Sequence, residues 1–271
     1  MDILYINLAN QADRRRNLES NFQANNALQW SLRRIDAIPS SAVANQIQGR
    51  LRDSEKACFQ SHIKAIKIAK QTTGHVLIAE DDILFGTRSF QAIESTLELV
   101  SEDSWDIIFT DVCVTNTHAM MDLLLLRRRA SSDVQFKLIN LSRLPFAGAT
   151  AYIVNRKSKD KILDILPLDG RLEIPYDVYL QQVIHNNKLR AFVTFPFATS
   201  LSPCAENSQI QQSCSVQEAA MNAFRRLMWR EREIDIANET MDRVHASIDD
   251  AETVAFLKIL AVFLSADFAT K

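Results

Sequence analysis

The sequence predicts an α/β fold with a central sheet, and three observations favour it. Short apolar runs typical of buried strands, such as residues 3–8 and 76–79, alternate with amphipathic segments of helical period. Two predicted strands end at or near carboxylates, Glu80 to Asp82 and Asp111. The 271 residues suffice for one large α/β domain or for one domain with an appendage.

The elements follow in chain order from these patterns. Apolar runs bounded by Gly, Pro or polar residues predict strands, and apolar residues every three or four positions predict helices. Residues 113–135 show neither pattern clearly, so we expect them to be irregular. Strands are predicted at residues 3–8, 30–38, 76–79, 105–112, 144–154 and 189–195. Helices are predicted at residues 90–100, 157–166, 219–246 and 251–268. Three further helices are predicted: one includes Leu18 and Phe22, one begins at residue 53 and one begins at residue 175.

Composition excludes several classes of protein. The formal net charge of −2 gives no reason to expect nucleic acid as a partner, and no apolar run is long enough to span a bilayer. The N-terminus does not resemble a secretory signal, so we expect a cytoplasmic protein. The four cysteines contain no C-x-x-C pair, which argues against zinc and redox sites; a Cys204–Cys214 disulfide is a remote alternative. The five glycines form neither a dinucleotide-binding nor a P-loop motif.

The most informative stretch is the acidic turn, Glu80, Asp81 and Asp82, which follows the strand at residues 76–79. Three carboxylates this close repel one another unless a cation lies among them, and Mg²⁺ or Mn²⁺ prefers such oxygens together with substrate phosphate. Extended geometry would place Glu80 and Asp82 on one face and Asp81 on the other. The alternative is a solvated acidic turn without a ligand.

Three further positions have a functional and a structural interpretation. Arg14 follows the first strand at a helix start, where it could bind phosphate or lie in a solvated basic turn. His62 lies at the border of the apolar face formed by the helix after residue 53, and such histidines are more often structural. Asp177 lies near a helix start, where a capping aspartate is common.

These residues together resemble glycosyltransferase family 25. Ser54 to His62, with Cys58 between them, followed by residues 76–82, matches the family pattern of a Gly-Glu-x-Gly-Cys-x-x-Ser-His segment and a Leu-Glu-Asp-Asp strand end. Ser54 and Ala57 replace the two family glycines, and Thr110-Asp111 replaces a usual Leu-Gly. Residues 6–8 with Arg14, 148–153 and 175–177 resemble further family blocks, so the resemblance covers roughly residues 1–200 in matching order.

The resemblance implies a GT-A fold: a Rossmann-like nucleotide-binding half with a mixed central sheet over residues 1–205, and a helical appendage at 206–271. It implies an inverting hexosyltransferase that moves a sugar, galactose in typical members, from a UDP-sugar to a saccharide acceptor of lipooligosaccharide or another surface glycan. Glu80, Asp81 and Asp82 would hold Mn²⁺ or Mg²⁺. The residues implied on the donor side are Asn7, Leu8, Arg14, Asp36, Ala37, Ser61 and His62.

An inverting transfer needs a base for the acceptor hydroxyl. Asp177 is the first candidate, because it lies in the acceptor-side part of the chain, and Asp111 is the second. A non-catalytic nucleotide-sugar-binding module is the main alternative, and a receiver domain phosphorylated on Asp111 is a weaker one. The C-terminal helices are expected to pack on the catalytic domain; homodimer formation and peripheral contact with the inner membrane, where glycolipid acceptors lie, are the alternatives.

Overall fold

The computed structural model describes residues 1–129, 137–168, 171–203, 216–248 and 250–263. The alternative of a Cys204–Cys214 disulfide concerns two residues that lie outside the described part of the chain. The strands are β1 (Asp2–Asn7), β2 (Ser31–Asp36), β3 (Val76–Glu80), β4 (Ile83–Phe85), β5 (Ile107–Phe109), β6 (Cys113–Val114), β7 (Lys137–Asn140), β8 (Phe146–Ala147), β9 (Ala151–Val154), β10 (Ala191–Phe195) and β11 (Thr199–Leu201). The helices are α1 (Ala12–Asn25), α2 (Ser40–Val43), α3 (Asp53–Ala69), α4 (Ser89–Glu98), α5 (Thr117–Arg129), α6 (Lys159–Ile165), α7 (Tyr176–His185), α8 (Val216–Met228), α9 (Ile234–Ala246) and α10 (Ala251–Phe263).

The central sheet has seven strands in the order β2-β1-β3-β9-β5-β10-β7. The β2, β1 and β3 strands run parallel, as in a nucleotide-binding half, and β9 is antiparallel to both of its neighbours, β3 and β5. The β10 strand is parallel to β5, and β7 closes the edge antiparallel to β10. This seven-stranded sheet confirms the predicted α/β class with a mixed central sheet.

Side chains alternate between two apolar cores, one on each face of the sheet. In β3, Val76 and Ile78 face the core that contains Phe59 of α3, whereas Leu77 and Ala79 face the core that contains Phe90 of α4. Because both faces of the sheet are covered, its inner strands β1, β3, β9, β5 and β10 are nearly continuous apolar runs, which is why they were visible in the sequence. The predicted apolar face of α3 is confirmed by the burial of Phe59 and its neighbours.

The polar ends of the parallel strands meet at one edge of the sheet. The register pairs Asn7 with Asp36 across β1 and β2, and Ile6 with Glu80 across β1 and β3. The β5 strand has the same direction, so Asp111, which follows it closely in the chain, lies on the same edge. In open α/β sheets this carboxyl edge is where ligands bind.

The prediction that residues 113–135 are irregular is wrong for the described residues 113–129, which include β6 and the helix α5; residues 130–135 lie outside the described part of the chain. Four consecutive leucines give no clear period, and tertiary contacts fix the helix instead. Leu123 is buried, and the Arg127 guanidinium donates to the carbonyls of Trp229 and Arg230 at 3.1 and 3.0 Å.

The prediction of a single helix at residues 219–246 is also wrong, because α8 and α9 are separate helices. The Phe197 backbone makes a short bridge here: its N–H donates to the Met228 carbonyl at 3.0 Å, and its carbonyl accepts from the Arg230 N–H at 2.9 Å. Arg232 then adopts a left-handed conformation, with φ of 47°. These contacts end α8 and redirect the chain.

The α8 helix packs on the part of the chain that contains the sheet, as expected. It contributes Met228 to the core that contains Phe197 and β10, and it contacts β6, β11 and α5. The division at residues 205 and 206 and dimerisation through the C-terminal helices remain predictions. None of the helices in the described part of the chain is long and apolar enough to cross a membrane.

Candidate active site

A cleft of about 150 Å³ opens at the carboxyl edge of β1, β2 and β3. It combines the acidic turn with residues of α1, α3 and the segment after β2. Of the predicted donor-side and metal residues, Leu8, Arg14, Ala37, Ser61, His62, Glu80, Asp81 and Asp82 line it, together with Ile6, Gln11, Ile38, Ser40, Ser54, Ala57 and Cys58. Parallel strand register therefore brings together residues that are far apart in the chain.

Arg14 holds the acidic turn in place. Its Nη2 atom lies 2.9 Å from Asp81 Oδ1 and 2.6 Å from Asp82 Oδ2. The expectation that Asp81 and Asp82 point to opposite faces is wrong, because β3 ends at Glu80 and the next two residues form a turn. One guanidinium can thus reach both carboxylates.

The acidic turn carries more negative charge than Arg14 neutralises. Burial, with repulsion from Glu80, raises the pKa of Asp82 to about 7, and burial also raises the pKa of Asp81. Oδ1 of Asp82 is buried without a hydrogen-bond partner among the described residues. A cation would satisfy this oxygen and favour the ionised carboxylate, so the donor set fits a hard divalent ion.

Two predicted donor-side residues lie behind or beside the cleft wall. The Asn7 side chain is buried; its amide donates to Asp81 Oδ2 at 2.7 Å, and its oxygen accepts from Arg34 Nε at 2.9 Å. The Asp36 side chain is 71% exposed and pairs with Arg34 at 2.9 Å. Asn7 therefore positions Asp81, whereas Asp36 is accessible from solvent at the end of β2.

Ser61 fixes the wall on the β2 side. Its hydroxyl donates to the Ala57 carbonyl at 2.7 Å and accepts from the Ile38 N–H at 2.8 Å. The second bond ties α3 to the segment that follows β2, which includes Ala37. Ser61 thus shapes the cleft as well as lining it.

His62 is almost fully buried, with 1% exposure, and is held on three sides. Its Nδ1 lies 3.0 Å from the Tyr152 hydroxyl and its Nε2 lies 3.2 Å from Glu80 Oε1. The imidazole stacks on the Tyr176 ring at 4.2 Å, and the two tyrosine hydroxyls are 2.8 Å apart. Burial by itself raises the pKa of Glu80, but His62 and Arg14 outweigh it and lower that pKa.

Cys58 belongs to the segment that resembles the family block but was not predicted as a site residue. It lies one helical turn before His62, and one ligand atom from each of Cys58, His62 and Glu80 lies within 4.8 Å of the other two. Burial and the nearby carboxylates raise the pKa of the Cys58 thiol. The four-residue spacing on α3 was the available signal, since it places two side chains on one helix face.

Asp177, the first candidate base, lies in the first turn of α7 and is half-buried. Its Oδ2 accepts from the Gly148 N–H at 2.8 Å. Asp177 does not line the cleft, but the preceding residue, Tyr176, stacks on His62 and so fixes the start of α7 beside it.

Asp111, the second candidate, is fully buried and lies outside the cleft lining. Its Oδ2 lies 2.8 Å from Nε and 2.6 Å from Nη2 of Arg225, which is itself buried in α8. Burial raises the pKa of Asp111, and Arg225 offsets part of that effect. Sequence reasoning missed Arg225, because nothing near it in the chain indicates a buried acidic partner.

Comparison with known proteins gives one family and several structural neighbours. The sequence model of glycosyltransferase family 25 (LPS biosynthesis protein) matches residues 1–180. A comparison with curated protein sequences finds no match.

Three solved structures are similar over about 70% of this chain, at low identity. An active-site mutant of LgtC is 15% identical, covers 71% of both chains and has a TM-score of 0.38. The galactosyltransferase LgtC in complex with donor and acceptor sugar analogs is 13% identical, covers 71% of this chain and 73% of its own, and has a TM-score of 0.37. Mouse xyloside xylosyltransferase 1, apo form, is 9% identical, covers 69% of this chain and 70% of its own, and has a TM-score of 0.33.

Proposed function

Because this chain belongs to glycosyltransferase family 25, we propose that it transfers a hexose, galactose in our preferred assignment, from a UDP-sugar to a saccharide acceptor. The acceptor is part of lipooligosaccharide or another surface glycan, and the reaction is metal-dependent and inverts the anomeric centre. The observation that carries the proposal is the acidic turn with Arg14, which opens into the cleft at the carboxyl edge of three parallel strands.

The cleft offers complementary groups for a nucleoside diphosphate. Leu8, Ala37 and Ile38 provide apolar surface for the base and ribose side, and Arg14 provides the cation for the diphosphate. Ser54 and Ala57, the two positions at which this chain departs from the family glycines, also line the cleft. We therefore expect them to influence the choice of donor.

The acidic turn supplies the proposed metal site. Asp82, with Glu80 and Asp81, would hold Mn²⁺ or Mg²⁺, and the buried Oδ1 of Asp82 supports this assignment. The bound ion would neutralise negative charge on the departing UDP. Arg14 neutralises part of the charge of the turn, and its guanidinium would be available to the diphosphate oxygens of a bound donor.

Asp177 remains our proposed base. Its Oδ2 accepts the Gly148 N–H, which orients the carboxylate, and Oδ1 would take the proton from the acceptor hydroxyl. Asp111 is the weaker candidate because its carboxylate is buried against Arg225. The same burial argues against phosphorylation of Asp111 in a receiver domain, as does the family match.

Calorimetric titration of UDP tests the donor site. We expect binding by the wild-type protein in Mn²⁺, weaker binding by roughly tenfold or more without it, and loss of the metal dependence in Asp82→Ala. Asp103→Asn is the matched control, because Asp103 is an exposed carboxylate that pairs with Lys157. Failure to bind UDP in either condition contradicts the proposal of a UDP-sugar donor.

Turnover tests the base. Release of UDP from UDP-galactose in the presence of saccharide acceptors should fall about 100-fold or more in Asp177→Asn, with UDP affinity unchanged, since general-base catalysis contributes about 10²–10⁴-fold. UDP binding without sugar transfer to any acceptor tested would favour the alternative of a non-catalytic binding module.

A further inference from the structure

Cys58, His62 and Glu80 form a cluster that the proposed sugar transfer does not use as a unit. Cys58 and His62 come from successive turns of α3, and Glu80 comes from the end of β3. One sulfur, one imidazole nitrogen and one carboxylate oxygen lie within 4.8 Å of one another. In a tetrahedral zinc site, ligand atoms about 2.0–2.3 Å from the ion are about 3.5 Å apart. Movements of about 1 Å by the ligand atoms would therefore bring them to this tetrahedral spacing.

The surroundings of His62 resemble those of a metal-binding histidine. Its Nδ1 contacts the Tyr152 hydroxyl at 3.0 Å, which leaves Nε2 directed toward Glu80 at 3.2 Å. The Tyr176 ring stacks on the imidazole and fixes its plane. A polar partner on the second nitrogen is the usual means of setting the tautomer and orientation of a histidine ligand.

The chemistry of the three groups selects the ion. Thiolate and imidazole ligands favour zinc and other borderline-soft ions, whereas Mg²⁺ and Mn²⁺ favour the all-oxygen acidic turn. We propose that Cys58, His62 and Glu80 bind a borderline-soft divalent ion such as Zn²⁺, with a fourth position open to the cleft. All three residues line the cleft, so a water or a ligand can reach that position.

This site is distinct from the proposed donor metal site, although Glu80 belongs to both. It does not require that the chain transfer sugars, because the ligands and the cleft are present in the protein alone. It revises the expectation from the sequence that the cysteines take no part in metal sites. That expectation was based on the absence of a C-x-x-C motif. Such a motif is local in the sequence, so its absence says nothing about a site whose ligands come from both a helix and a strand.

Cobalt provides a direct readout. We expect one equivalent of Co²⁺ per chain to produce a thiolate-to-cobalt charge-transfer band in the metal-free protein. Cys58→Ser should abolish the band and weaken Zn²⁺ binding about 100-fold or more. Tyr152→Phe should weaken Zn²⁺ binding about tenfold, as expected when a hydrogen-bond partner of a metal-binding histidine is removed. Cys113→Ser and Asp82→Asn are the controls and should retain the band.

A second measurement needs no substitution. Saturating Zn²⁺ should slow the alkylation of Cys58 about tenfold or more in the wild-type protein, followed by mass spectrometry of the peptides, and should leave the rate at Cys113 unchanged. Both residues are partly exposed, and burial raises the pKa of both thiols, which makes them a matched pair. The absence of a charge-transfer band, its persistence in Cys58→Ser, or equal protection of the two thiols would overturn the proposal. Each of these results is independent of whether UDP binds.

Discussion

Replacement of Asp82 by Asn should stabilise the protein at pH 8 when no metal is bound. The carboxylate is buried beside Glu80 and Asp81, and these surroundings disfavour its ionised form. Asn keeps the shape of the side chain without the charge. Arg14 keeps a partner in the variant, because it also contacts Asp81 at 2.9 Å.

The magnitude follows from the pKa of Asp82, which rises from 3.8 to about 7 on folding. At about 1.4 kcal/mol for each pKa unit, ionising Asp82 costs the folded state about 4 kcal/mol. Between pH 3.8 and about 7 the folded state binds more protons at this residue than the unfolded state. The contribution of Asp82 to the free energy of unfolding therefore falls as pH rises through that window, by about 2–3 kcal/mol between pH 5 and 8.

Urea unfolding of the wild type and Asp82→Asn at pH 5 and pH 8, with a chelator present, measures this effect. The stability of the variant relative to the wild type should increase by about 2–3 kcal/mol from pH 5 to pH 8. In Asp103→Asn, which alters an exposed carboxylate, the corresponding change should be within about 0.5 kcal/mol. Equal pH dependence in wild type and Asp82→Asn would refute the reasoning about burial and charge in the acidic turn.

Two further substitutions test buried ion pairs elsewhere, both by urea unfolding at pH 7. Asp106→Asn should cost about 2–4 kcal/mol, because the buried carboxylate accepts from Lys161 and Arg190; a loss below about 1 kcal/mol would contradict this. Arg225→Met should cost about 3–5 kcal/mol, because it leaves Asp111 buried and unpaired. Adding Asp111→Asn should recover most of that loss, and an unchanged loss in the double variant would show that the charge is not the cause.

The parts of the fold that the sequence predicted are those set by local pattern. The strand predicted at residues 76–79 is apolar on both faces, and Phe59, Ile63 and Ile66 repeat with helical period, so the burial of these side chains against the sheet could be predicted. The α5 helix was missed because its leucines are consecutive. Its position depends on Arg127, which bonds to the carbonyls of residues about a hundred positions later.

The residues of the candidate site likewise fall into those that the sequence could predict and those that only the tertiary structure reveals. Residues at the ends of parallel strands, such as Asn7 and Glu80, converge because the register requires it. Glu80 could be named from its place at a strand end, whereas Asn7 follows only from the family resemblance. The turn at Asp81 and Asp82 departs from strand alternation once β3 ends, and no local pattern indicates where Arg14 will reach. The role of Tyr152 and Tyr176 around His62 also depends on β9 and α7 meeting α3, which only the tertiary structure reveals.

The pairing of Asp111 with Arg225 has a consequence for biosynthesis, because 114 positions separate the two residues. During translation the β5 end leaves the ribosome long before its buried counter-ion has been made. Until α8 emerges, Asp111 must remain hydrated or protonated, so this end of the sheet cannot close with its native charge balance. Docking of α8 can therefore occur only after Arg225 has been made, and a nascent chain released before Arg225 would carry an incompletely packed carboxyl edge at β5.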